Sequence, residues 1–125
     1  MKAKTNGQAL VSLLVFMLIA ISITTGAVLL LISNSTNTTK ISQGGNALAI
    51  AEAGAENALI KMLRSPAYTG ETVSLSGGEG VVVVTGNNPY LIRSRGTSGN
   101  FVRVIEVSVQ FTDNKMSIVS WKEVF

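Results

Sequence analysis

The chain has 125 residues with no cysteine, no histidine and a single aspartate, and it sets ten Lys plus Arg against seven Asp plus Glu. Without thiols it builds neither a disulfide framework nor a thiolate metal site, and it lacks the usual groups of general acid–base catalysis. The net charge of +3 does not mark a nucleic-acid binder, because Lys2 and Lys4 precede the first apolar run and leave residues 8–125 at +1.

From Ala9 to Ile32 run 24 residues without a charge, ALVSLLVFMLIAISITTGAVLLLI. As a helix rising about 1.5 Å per residue they span roughly 36 Å, enough to cross a bilayer core of about 30 Å. Ser12, Ser22, Thr24, Thr25 and Gly26 interrupt the run with small or mildly polar side chains that bond within a helix or admit a second helix. Lys2 and Lys4 lie before the span and the next charge is Lys40, so the positive-inside rule expects a cytoplasmic N-terminus and an external C-terminal region. A secretory signal has an apolar region of only about 7–15 residues and a small-residue cleavage site after it. Ile32 is followed by Ser33-Asn34-Ser35-Thr36, so the helix is expected to be retained. Fewer than 100 residues then remain, enough for one small folded region.

Ser33–Gly45 is polar, and Gly44-Gly45 predicts a loosening of the helix. From Asn46 to Arg64 a helical period returns, with Leu48, Ala51, Ala55, Leu59 and Met62 on one stripe. Ile50 and Ile60 fall off it, either as residues covered by an assembled neighbour or as ordinary surface isoleucines. Ser65-Pro66 ends the helix. Thr72–Leu75 and Val81–Thr85 read as strands flanking a glycine-rich connection, Ser-Gly-Gly-Glu-Gly, and Gly86-Asn87-Asn88-Pro89 supplies the next reversal.

A two-residue turn at Ser98-Gly99 pairs Ile92 with Ile105 and Tyr90 with Val107, and a second at Asp113-Asn114 pairs Val109 with Ile118 and Phe111 with Met116. By the period of two, all eight residues share one face, expected to pack on the helix 46–64. The opposite face is expected to carry Arg93, Arg95, Glu106, Gln110 and Trp121. The fold class is therefore α+β: a long N-terminal helix, transmembrane then amphipathic, packed on a small antiparallel sheet. The expected organisation is a basic leader at 1–7, a transmembrane helix at 8–32, a polar segment and amphipathic helix at 33–64, and a sheet domain at 65–125.

The opening KTNGQALVSLLVFML resembles the class III signal of type IV pilin-like proteins, in which a prepilin peptidase cuts after a glycine ahead of the span. AIAEAGAENAL, from Ala49 to Leu59, resembles a stretch of PilX-type minor pilins and related pseudopilins. The resemblance implies that Gly7 is the last leader residue and Gln8 the first mature one, with a methylated amine. It departs from the major-pilin pattern at Ser12, where the family's usual glutamate would neutralise a neighbouring subunit's N-terminal amine. A buried ammonium without that partner is costly, so Ser12 implies a minor or tip subunit, or looser N-terminal packing. The helix also lacks an internal proline, and the paired C-terminal cysteines of many pilins are missing.

The function this implies is a non-enzymatic subunit of a type IV pilus-like or type II secretion-like filament. It would reside in the cytoplasmic membrane and then in an extracellular filament. Its partners would be the prepilin peptidase, other pilin subunits, the membrane and the assembly machinery, with no cofactor or metal. The alternative is a monomeric, signal-anchored surface module for binding or adhesion. Arg93 and Arg95, with Lys122, are candidates for a basic spot, but no aromatic interleaving accompanies them and nucleic acid is not supported. Trp121 is either an interface anchor or a cover for Val104 or a strand edge. Glu52 and Glu56, one helical turn apart, do not make a metal site, and no Ser–Lys dyad is positioned.

Overall fold

The computed structural model describes residues 2–125, with side chains from Asn6 onward. The side chains of Lys2 and Lys4, on which the orientation was read, lie outside the described residues. Helix α1 runs Lys2–Arg64 and is followed by strands β1 (Gly70–Leu75), β2 (Gly78–Gly86), β3 (Tyr90–Ser98), β4 (Phe101–Thr112) and β5 (Lys115–Val124). The strands form one antiparallel sheet in the order β1-β2-β3-β4-β5, so the α+β class and the meander are as expected. The chain divides into two compact units, one ending at Thr39 and the other Lys40–Phe125.

In the first unit the apolar side chains from Leu10 to Ile32 are exposed, on a helix long and apolar enough to cross a membrane. Its polar interruptions are answered internally. The hydroxyls of Ser22, Thr24 and Thr25 donate to the carbonyls of Leu18, Ala20 and Ile21 at 2.8 Å, which leaves no open donor at those positions. The expected loosening at 33–45 is not seen. Thr36, Thr38 and Thr39 donate to Ile32, Asn34 and Ser35, and helical structure is assigned through Gly44 and Gly45.

In the second unit the helix buries Ala47, Ile50, Ala51, Ala55, Ala58, Leu59 and Met62, with Leu48 half-buried. The sheet answers with Val82, Ile92, Ile105, Val107 and Val109. Tyr90 and Phe111 close the rim edge-to-face at 5.8 Å between centroids. The contact is close because small residues meet small ones. A Cβ on Gly96 would overlap the Ala47 carbonyl oxygen and stand 2.6 Å from the Ala51 nitrogen, and one on Gly54 would overlap the Ser94 hydroxyl. Ile50 is covered by the chain's own sheet rather than by a neighbour, and Ile60 is exposed.

The glycine-rich connection proves to be mostly strand. Only Ser76 and Gly77 turn, with Gly77 at φ 108°, while Gly78, Glu79 and Gly80 pair with β1. Gly78 and Gly80 make room for Ile50, whose side-chain carbons would lie 2.6 and 3.2 Å from Cβ atoms built there. The β3–β4 turn falls at Gly99-Asn100, one residue later than expected, with Gly99 at φ 56°. Ser98 instead ends the strand and donates to the Gly77 carbonyl at 2.7 Å, tying two turns together. Ile92 therefore pairs with Val107 and Tyr90 with Val109, a shift of two that keeps every residue on its expected face.

The β4–β5 turn at Asp113-Asn114 has φ of 51° and 65°, and Val109 pairs with Ile118 and Phe111 with Met116 as expected. A bulge between Ser108 and Val109 then leaves Val119 as the extra residue of β5. Beyond it Trp121 pairs with Val107 and Lys122 with Glu106. Trp121 thus belongs to the helix-facing side rather than the opposite face, and it cannot cover Val104. Ile118 shares the core face but is exposed at the sheet's edge.

Candidate functional site

The residues with an expected role in processing and assembly all lie on α1. Gly7, Gln8 and Ser12 are exposed, and Gln8 and Ser12, four residues apart, share a face of the helix. A Cβ built on Gly7 meets no atom within 4 Å, so no packing within the described chain calls for glycine there. Glycine in a helix costs about 1 kcal/mol relative to alanine, which leaves this residue without a structural return inside the chain. Gly26 and Gly45 are equally open, so freedom alone does not single out Gly7. Gly7 differs from them in lying two residues before the apolar run that begins at Ala9.

A polar cluster that the sequence did not disclose joins the end of α1 to the first strand. The Glu71 carboxylate accepts from Lys61 Nζ at 2.5 and 2.6 Å, from Asn57 Nδ2 at 3.0 Å and from the Tyr68 hydroxyl at 3.1 Å. Lys61 Nζ also lies 5.7 Å from the Tyr68 ring centroid. The Lys61 hydrogen bond, opposed by partial desolvation, holds the Glu71 carboxyl below its ordinary range. Burial, with the neighbouring carboxylate, pushes the Tyr68 phenol up to about 12. The cluster borders a groove of about 210 Å³ lined by Ile50, Ala53, Gly54, Val73, Leu75 and Val82. Sequence separations of 10 and 14 between the partners gave no local signal for it.

On the sheet's other side, Arg93 Nε is 3.4 Å and Lys122 Nζ 3.7 Å from the two oxygens of Glu106. Arg103 instead lies on the helix-facing side, donating to Glu123 at 2.6 Å, with its guanidinium 5.8 Å from the Phe125 ring centroid. The Ser94 hydroxyl is fully buried without a partner against Gly54. Among the described residues no group of three or more His, Cys, Asp or Glu could hold a metal ion.

An α+β protein with a long, apolar N-terminal helix and an antiparallel five-stranded sheet is compatible with a pilin-like fold. Compared with protein-family models, curated proteins and solved structures, the chain matches none of them.

Proposed function

We propose that the chain is a non-enzymatic structural subunit of a type IV pilus-like or type II secretion-like filament, as a minor or tip component. Its helix is held in the cytoplasmic membrane, with the N-terminus inside, until a prepilin peptidase removes residues 1–7 and the assembly machinery draws the subunit into the filament. The observation that carries this reading is the junction at Gly7: a short basic leader, a glycine that no packing requires, and 24 uncharged residues beginning at Ala9. Apolar surface is worth roughly 25 cal/mol per Å² when withdrawn from water, but much of that gain is already realised while the helix is in lipid. Leaving the bilayer therefore needs an external source of work. Ser12, in place of an acidic partner for a neighbour's amine, supports the minor or tip assignment.

The test is the mass of the mature chain in cells carrying the peptidase. Processing shortens it by Met1–Gly7, and Gly7→Leu abolishes that shortening while the protein remains in the membrane. A Gly7→Leu chain that still loses seven residues refutes the cleavage site. An intact N-terminus on a surface protein absent from purified filaments replaces the filament reading with the signal-anchored module.

A further inference from the structure

The β5 bulge determines the chemistry of the sheet face turned away from the helix. A regular ladder continued from the Asp113-Asn114 turn would place Lys122 opposite Ile105, on the core side; the extra residue places it opposite Glu106 instead. Val83, Arg93, Glu106 and Lys122 then form one row across four strands, with Arg95 in the next row between Val81 and Val104. Glu106 is sunk between its two cations with 15% of its side chain exposed, whereas Arg93 and Lys122 expose 59% and 64%. The carboxylate, 3.4 and 3.7 Å from them, offsets one of the two positive charges, and the exposed Arg95 adds a cation outside these ion pairs. Over the whole face, Arg93, Arg95, Lys115 and Lys122 stand against Glu79 and Glu106.

The same face exposes Val83, Leu91 and Val102 among these cations. A phosphate-bearing duplex would use the charges and gain nothing from the aliphatic side chains, and a single strand would need aromatic platforms, which Trp121 does not supply because it lies on the other side. An anionic bilayer surface uses both. Its headgroups attract the arginines and lysine, and its interfacial zone accepts the short aliphatic groups.

We infer that the sheet face carrying Arg93, Arg95 and Lys122 docks on an anionic lipid surface while the subunit waits in the membrane. This rests on the membrane residence proposed above. Docking is ionic-strength dependent, because the exposed cations act through solvent.

The chain contains no cysteine, so a single-cysteine reporter is unambiguous. The full chain carrying Ser120→Cys, labelled with an environment-sensitive dye, is reconstituted in vesicles of phosphatidylcholine alone or of phosphatidylcholine and phosphatidylglycerol in equal parts. A label at Glu52→Cys on the helix serves as control. Docking predicts a blue-shifted Ser120 label, shielded severalfold from a soluble quencher, only in the anionic vesicles at low salt, with the Glu52 label unchanged. Arg95→Glu, which breaks none of the observed ion pairs, removes most of the shielding, and Arg93→Gln with Lys122→Gln does the same. Equal shielding in both vesicles, or none in either, overturns the inference. So does equal shielding by a soluble duplex oligonucleotide added to phosphatidylcholine vesicles, which would make the face a general polyanion site. A chain that fails to float with any vesicle refutes membrane residence itself, whereas a floating chain with an unshielded label refutes only docking.

Discussion

Gly96→Ala adds one methyl group where helix and sheet come closest. The new Cβ overlaps the Ala47 carbonyl oxygen and lies 2.6 Å from the Ala51 nitrogen. Both are backbone atoms of α1, so no rotamer change relieves the contact; either the helix lifts or the strand bends. Lifting opens gaps around Met62, Ile92 and Val107, all of them fully buried, and a radial gap of about 0.5–1 Å forfeits a quarter to a half of each dispersion contact. Overpacking of this kind costs about 1–3 kcal/mol, and rigid backbone neighbours place Gly96→Ala at the upper end. The matched control is Gly45→Ala, where a Cβ meets nothing within 4 Å and the helix gains up to about 1 kcal/mol. The same substitution thus has opposite signs at two glycines, with a gap of about 3–4 kcal/mol. Urea unfolding of the full chain in detergent, followed by the single Trp121, measures both, and each kcal/mol corresponds to about 4–8 °C in Tm for a domain of this size. A Gly96→Ala protein within about 0.5 kcal/mol of the parent refutes the close helix–sheet contact as an energetic constraint.

Ser94→Ala removes a buried hydroxyl that has no partner and should stabilise by about 1 kcal/mol. It should also ease Gly54→Ala, whose Cβ otherwise meets the Ser94 oxygen, and simple additivity in a double-mutant cycle would refute that contact. Met62→Ala, at a fully buried side chain, should cost about 2–5 kcal/mol in the same unfolding assay; a loss below about 1 would mean the helix end is not docked. The Glu71 carboxyl is held below its ordinary value of 4.5, so its stabilising contribution is present above that pH and disappears as pH falls through the lower folded value. Glu71→Gln should flatten that acid limb in Tm measured against pH, and an unchanged limb would show that other carboxylates set it. At the alkaline end Tyr68 has the opposite relation: its neutral form is favoured, so the associated stability is present below pH 10 and is lost as pH rises past about 12, which tyrosinate absorbance follows.

The parts of this structure legible in the sequence are those with a short period. The 46–64 stripe and the alternation in β3 and β4 repeat every two to four residues and place their elements and faces correctly, and the long apolar run marks the first part of α1. The β3–β4 register differs by two from that expected, and the Ser98 hydroxyl that ends β3 bonds to Gly77 across 21 residues, a contact that local spacing does not disclose. The Gly78–Gly80 stretch looks like a loop in sequence because its glycines answer to distant neighbours, the Thr97 carbonyl of β3 at Gly78 and the Ile50 side chain of the helix at both. The Glu71 cluster and the orphaned Ser94 hydroxyl were invisible for the same reason, since their partners and neighbours are fixed by packing rather than by spacing. Gly7, Gln8 and Ser12 were read from their order along the chain, and their exposure leaves that reading to chemistry outside the fold.

One inserted residue does more to divide the two faces of the sheet than the register error does. A shift of two preserves faces, so the displaced β3–β4 turn left Ile92 and Val107 in the core. The bulge at Val119 shifts the remainder of β5 by one and exchanges its faces, taking Trp121 to the helix side and Lys122 to the far side. Because β5 is an edge strand, no further strand had to accommodate the change. Where burial enforces alternation, from Ile105 to Val109 on β4, the pattern is regular; where the edge strand is exposed, the pattern yields and surface chemistry is set instead. The aromatic side chain and the cation that the alternating pattern would have assigned to the wrong faces are therefore the two whose placement most affects what the sheet's far side can bind.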